Sequence, residues 1–149
     1  MGKLGVELTT KLTLTTEFRK IVEAQMNQML RGAEATFNQI IEKQKITPKE
    51  LKTEIESHEE TFNHVFQMWS LQILYTLFLK DKGGFGELKK ILSVNSRTLS
   101  DKLKMLRQHD FITRHVTAGP PLRVEYALTT KGKNTVLLAL PLLYYSNSA

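Results

Sequence analysis

Two groups of residues have types and spacings that could do chemistry. The first is His58-Glu59-Glu60-Thr61-Phe62. It begins as a zinc-binding His-Glu-x-x-His helix does, but that site needs a second imidazole where this chain has Phe62, so it fails. His58 and His64 fall on different helix faces, and His58 reads instead as a partly buried contact at a helix seam. His109 and His115 have no carboxylate close by in sequence. Gly83-Gly84-Phe85-Gly86 lacks the Lys-Ser/Thr that completes a phosphate loop. Glu87 and Glu125 stand alone, without the second acid that general acid–base pairs require. The chain has no cysteine, which excludes a disulfide, a thiolate metal site and a thiol nucleophile. The expectation is a protein that is not an enzyme and holds no metal and no cofactor.

The second group lies in 96–108. At about 100° per residue, Leu99, Leu103 and Leu106 gather into one stripe. Arg97, Ser100, Asp101, Lys104 and Gln108 then share the opposite face, with Ser96 at its open end. Arg can grip a guanine edge with two hydrogen bonds, Ser can donate or accept, and Lys takes phosphate. Three roles are open to Asp101. It can accept from a cytosine amino group, hold Arg97 or Lys104 one turn away, or simply be solvated; the holding role is the expected one. Lys89 and Lys90 precede this helix, and Arg114, His115 and Arg123 follow it. Together they would surround a groove with cations, which points to double-stranded DNA as the partner.

The elements that must position these residues are legible in outline. Residues 4–14 alternate Leu4, Val6, Leu8, Leu12 and Leu14 with polar residues and glycine, as a strand segment does. A helix of about 28 residues over 17–44 would be roughly 40 Å long. Val22, Met26, Met29, Ala33, Thr36 and Ile40 recur along it at coiled-coil-like spacing. With Phe18 and Phe37 beside that stripe, Phe18, Val22, Met26, Met29, Ala33, Phe37 and Ile40 form the expected dimer interface. Thr47-Pro48-Lys49-Glu50 is a capping box with proline in the first turn. Leu51, Ile55, His58 and Phe62 mark one face beyond it. Either one long helix or two abutting helices fill 48–80, with a break near Ser57 allowed by a second capping box. The stretch 66–80 is apolar nearly all round, from Phe66 and Trp69 through Leu71, Ile73, Leu74, Leu77 and Phe78, and reads as a buried helix.

Asp81-Lys82-Gly83-Gly84 stops that helix. A short helix over 85–92 turns Leu88, Ile91 and Leu92 inward, and Asn95 caps a helix from 96 to about 109. Two strands, 111–116 and 123–128, flank a stiff tip containing Pro120 and Pro121. A last helix carries Val136, Leu137, Leu140 and Leu143, and Pro141 should kink or end it. Helix, turn, helix and hairpin in that order make a winged helix-turn-helix. The fold class expected is mainly α with a small β hairpin, extended by a long N-terminal helix and dimeric. Residues 1–63 would form the strand segment and helical dimerisation arm, and 64–149 the DNA-binding domain with its C-terminal helix.

Charge supports that division. Residues 1–64 hold 9 Lys/Arg against 10 Asp/Glu, whereas 65–149 hold 12 against 5. All the excess positive charge of this 149-residue chain, net +6, therefore lies in the second half. Basic charge confined to one region is the footprint of a polyanion contact. No apolar run approaches the roughly 20 residues of a membrane span, and no signal-peptide core is present, so the expected location is cytoplasmic with no membrane partner.

Five fragments resemble, in order, the HxlR-type winged-helix transcription regulators of the broader MarR-like group. Trp69-Ser70-Leu71-Gln72-Ile73-Leu74 is similar to their KW-x-x-x-IL helix, and Phe85-Gly86-Glu87-Leu88-Lys89 to RF-x-EL-k. The run from Asn95 to Lys104 resembles S-x-R-x-L-S-x-R-L-K, and Asp110 to Arg114 resembles GLI-x-R. The run from Pro121 to Gly132 is similar to P-x-RVEY-x-LT-x-x-G. The resemblance covers about 64–140. It implies a homodimeric, sequence-specific regulator with 96–108 in the major groove, the 116–123 wing on backbone or minor groove, and terminal helices building the dimer. Many members carry a regulatory cysteine shortly before the Trp; this chain has none there or elsewhere, which excludes thiol sensing. Which effector ligand, if any, such a regulator answers is not legible. The alternative is a protein-interaction or architectural winged-helix module with little sequence specificity.

Overall fold

The computed structural model describes residues 16–67 and 69–147. The strand segment expected at 4–14 and the side chains of Phe18 and Leu143 lie outside what is described. The chain divides into two compact units, Met1–Leu51 and Lys52–Ala149.

In the first unit, α1 is the long helix Thr16–Gln44. Its apolar residues are mostly uncovered: Ile21, Met29, Leu30, Phe37 and Ile40 are exposed, Val22 is half-buried and Met26 is buried. Thr36, the imperfection in the stripe, bonds its hydroxyl back to the Gly32 carbonyl at 2.9 Å. The capping box at the start of α2 (Pro48–Phe66) forms as expected. The Thr47 backbone N–H donates to Glu50 Oε2 at 2.8 Å, and the Glu50 N–H donates to Thr47 Oγ1 at 3.2 Å. The boundary between the units falls within α2.

The alternatives for 48–80 resolve into two helices. No break occurs at Ser57, because its hydroxyl donates to the Glu54 carbonyl at 2.6 Å within a continuing turn and caps nothing. The first helix ends at Phe66 instead, Trp69 adopts a left-handed backbone (φ 76°), and α3 runs Ser70–Lys80. Phe66 therefore ends α2 and stays exposed rather than joining the buried helix. Ile55, His58 and Phe62 on α2 are also exposed, while Val65 is buried. His58 is thus no partly buried seam contact; its Nε2 reaches Glu54 Oε1 at 3.2 Å on the open surface.

The second unit has one core. Ile73, Leu74 and Leu77 of α3 meet Leu88 of α4 (Phe85–Leu92), Leu99, Leu103 and Leu106 of α5 (Ser96–Gln108), Phe111, Tyr126 and Val136. In the short α4, Leu88 and Leu92 lie one turn apart and take the inward side. Ile91, expected inward, points away from it and is exposed.

The glycines that stop α3 also make a strand. β1 (Gly83–Gly84) pairs antiparallel with β3 (Arg123–Leu128), which pairs antiparallel with β2 (Ile112–Thr117), giving the order β1-β3-β2. Gly83 is needed there, because a Cβ would press on Leu77 and Leu88 at 3.2 Å. The last helix, α6 (Thr130–Asn147), continues through Pro141. Of its expected apolar face Val136 is buried, with Ala139 beside it, but Leu137 and Leu140 are exposed. Thr129 ties α6 to the sheet, donating its hydroxyl to Asp110 O at 2.6 Å and accepting from the Gly132 N–H at 3.0 Å. The architecture is a winged helix: mainly helical, with a small three-stranded antiparallel sheet.

Candidate nucleic-acid interface

The turn before α5 sets where that helix starts. Ser93 takes a left-handed backbone (φ 52°), Val94 drops into the core, and Asn95 Oδ1 accepts the Thr98 N–H at 2.8 Å. That bond satisfies one of the donors a helix start leaves open. From this fixed start, Leu99, Leu103 and Leu106 are buried to 1% exposure or less. Their stripe sets the rotation of the helix, so the opposite face must point outward.

That face is the one the wheel selects. Ser96, Arg97, Ser100, Asp101, Lys104 and Gln108 are all exposed. Among the described residues, no ion pair of 4 Å or less joins Asp101 to Arg97 or Lys104. The holding role expected of Asp101 is therefore not realised, which leaves it free to accept from a partner or to be solvated.

Lys102 behaves differently. It is half-buried, and its Nζ donates to Gln67 Oε1 at 2.6 Å. At the far end, the ring of His109 rests on that of His64, with centroids 4.9 Å apart. Its carbonyl accepts from Lys131 Nζ at 2.9 Å, and the same ammonium lies 4.5 Å from the Phe111 ring centre. These anchors are not legible in the sequence, because they join residues 20 to 45 positions apart with no local pattern between them. Lys89 and Lys90 are exposed in the last turn of α4. In the same region Lys80 and Glu87 join α3 to α4 at 2.9 Å.

The hairpin cations are separated by the register. Arg114 stands opposite Tyr126, His115 opposite Glu125, and Thr117 opposite Arg123. Strand side chains alternate between faces, so Arg114 lies on the face that carries the buried Ile112 and Tyr126. His115 and Arg123 share the other face with Glu125. His115 Nε2 also lies 2.9 Å from Thr113 Oγ1. The hairpin is thus cationic on both faces.

An open apolar groove of about 340 Å³ lies elsewhere in this unit, lined by Phe62, Val65, Phe66, Phe111, Leu138 and Leu142 among others. The Phe62 and Phe66 rings stack at 6.1 Å along its side. Among the described residues no cluster of three or more His, Asp or Glu is placed to hold a metal ion.

Comparison with known proteins agrees with this geometry. The chain is 32% identical over 77 residues to the HTH-type transcriptional regulator YdzF of Bacillus subtilis, covering 51% of this chain and 71% of that one. Among solved structures, the reduced form of the transcriptional regulator YodB from B. subtilis matches with a TM-score of 0.56. It is 22% identical, and the match covers 68% of this chain and 92% of YodB, a likeness of fold. The oxidised form of the redox regulator HypR matches at 26% identity and a TM-score of 0.54, covering 61% of this chain and 96% of HypR. The HxlR-like helix-turn-helix family matches residues 64–143. With that match spanning more than half its length, the chain belongs to the HxlR-like helix-turn-helix family.

Proposed function

We propose that this chain is a transcription regulator that binds double-stranded DNA sequence-specifically as a homodimer. In this reading α5 lies in the major groove, and the 116–123 wing reaches backbone or minor groove. One observation carries it. The outward face of α5 holds Arg97, Ser100, Asp101, Lys104 and Gln108, all exposed, on a helix locked in rotation by three buried leucines. Residues of these types, presented this way, can read base edges and phosphates together. Lys89, Lys90, Arg114, His115 and Arg123 supply the surrounding positive charge. The absence of cysteine means that any signal it answers is not read by a thiol.

Dimerisation is assigned to the N-terminal arm, residues 1–63. Met29, Ala33, Phe37 and Ile40 lie exposed along α1, in line with Val22 and Met26, an apolar stripe that a second copy would cover. The reading involves no catalysis and no cofactor. The location it implies is cytoplasmic, and no described helix is long and apolar enough to cross a membrane. A second reading is a winged-helix module with little sequence specificity, and the apolar groove beside Phe62 and Leu138 favours its protein-docking form.

Selection of bound duplexes from a random pool tests these readings together. The regulator reading expects a preferred sequence with half-site symmetry and an affinity that falls as salt rises. Equal affinity for selected and random duplexes, or no response to salt, would overturn it.

A further inference from the structure

Two imidazoles meet at the end of α5. His109 closes that helix, its backbone N–H donating to the Met105 carbonyl at 3.1 Å. Its ring lies against that of His64 on α2, with centroids 4.9 Å apart and planes tilted by 34°. Both residues are half-buried. Packing alone asks only for a flat ring here. Imidazole adds a charge that switches between about pH 5 and 8.

The surroundings answer one such charge better than two. On α2, Glu60 Oε1 stands 3.6 Å from His64 Nε2. On α6, Lys131 Nζ donates to the His109 carbonyl at 2.9 Å. Arg107 and Asp110, both exposed, flank His109 along the chain and offset each other in net charge. Lys102 is turned to Gln67. One proton on the pair leaves a cation against a neutral ring, with the Glu60 carboxylate to answer it. A second proton sets two cationic rings 4.9 Å apart, with the Lys131 ammonium on the carbonyl of one of them. Like charges at that range repel.

This contact is one of four that hold α5. Asn95 caps the start, three leucines fix the rotation, Lys102 ties the middle to Gln67, and the His64 ring holds the far end. Of these, the last is the one whose charge changes near neutral pH.

We infer that His64 and His109 are positioning residues that set the far end of α5, and that acid releases it and weakens the grip on duplex DNA. This rests on the DNA-binding reading above and names a signal that acts on it. The sign sets it apart from plain electrostatics. Protonating His58, His64, His109 and His115 adds positive charge, which by itself strengthens binding to a polyanion as pH falls. A released helix end predicts the reverse.

The test compares the full chain as wild type, His64→Phe and His64→Ala on the selected duplex, from about pH 8 to about pH 5. Phe keeps a ring against His109 but takes no proton, and Ala removes the ring. The wild type should bind about tenfold more weakly at the acid end, a factor between the surface and interior values of such a repulsion. His64→Phe should match it at the alkaline end and hold or gain affinity in acid. His64→Ala should bind more weakly than both at the alkaline end. Thermal unfolding without DNA should show the wild type losing more stability in acid than His64→Phe, because the unfolded chain takes the second proton more readily. Wild-type affinity that rises in acid, or falls equally in wild type and His64→Phe, overturns the inference, as does wild-type affinity in His64→Ala at the alkaline end. If no duplex is held at any pH, the DNA-binding reading fails by itself. Equal acid losses of stability in wild type and His64→Phe would then overturn the histidine pair as well.

Discussion

Lys102 Nζ donates to Gln67 Oε1 at 2.6 Å, joining the middle of α5 to the segment between α2 and α3 across 35 residues of sequence. It draws one cation of the helix inward, onto the chain just before the left-handed Trp69. Gln67→Ala should lower stability by about 0.5–1.5 kcal/mol, the net worth of one such bond near the surface. Urea unfolding would measure it. The double variant with Lys102→Met should cost little more than either change alone.

Arg97 and Arg123 should fail in different ways. Replacing Arg97 with Ala should cost about 1–3 kcal/mol on the selected duplex and relax the preference at one base pair. Replacing Arg123 with Ala should weaken binding to all sequences alike and lower the slope of log affinity against log salt by about one. Titrations at several salt concentrations separate the two.

Met29→Glu places a charge in the exposed stripe of α1 without disturbing a core. The wild type should run as a dimer at micromolar concentration by light scattering, and the variant as a monomer. A monomeric wild type would remove the arm from the dimer.

Gly132 sits where a Cβ would collide with the Phe111 carbonyl oxygen. That oxygen also accepts from the Thr129 N–H at 3.1 Å, so relief would loosen the joint between sheet and α6. Gly132→Ala should destabilise by about 2–4 kcal/mol, although alanine ordinarily favours a helix. Thermal unfolding would show the loss.

Glu50 has its carboxylate held below the usual range by the Thr47 backbone N–H and then by the Thr47 hydroxyl. A carboxylate with a lowered folded value contributes stability above its unfolded value and loses it as pH falls through the folded one. Wild-type helix content should therefore drop on acidification through the carboxylate range. Glu50→Gln should lack that part of the pH dependence. Circular dichroism of the two proteins from neutral to acid pH makes the comparison.

The winged helix was legible because its signals are periodic or local. The stripe of Leu99, Leu103 and Leu106 fixed the outward face of α5, and the Asn95 and Thr47 caps needed only a few neighbouring residues. What escaped was set by distant partners. Gly83 and Gly84 read as a helix stop, yet both pair with β3, and the missing Gly83 side chain leaves room for Leu77 and Leu88. Ile91 and Leu137 have the hydrophobicity of core residues but the wrong rotation for the core that formed. Arg114 and Arg123 looked like one cluster until the register placed them on opposite faces.

Among the described residues, the order β1-β3-β2 leaves β2 at an edge, with one side of its backbone unpaired along residues 112–117. An open edge is a template on which another chain's strand can add. Arg114 sits in the middle of that edge, and its positive charges on two copies would meet if edges paired. That cation therefore guards the protein against its own copies. Replacing it with an apolar residue would exchange a soluble edge for a sticky one.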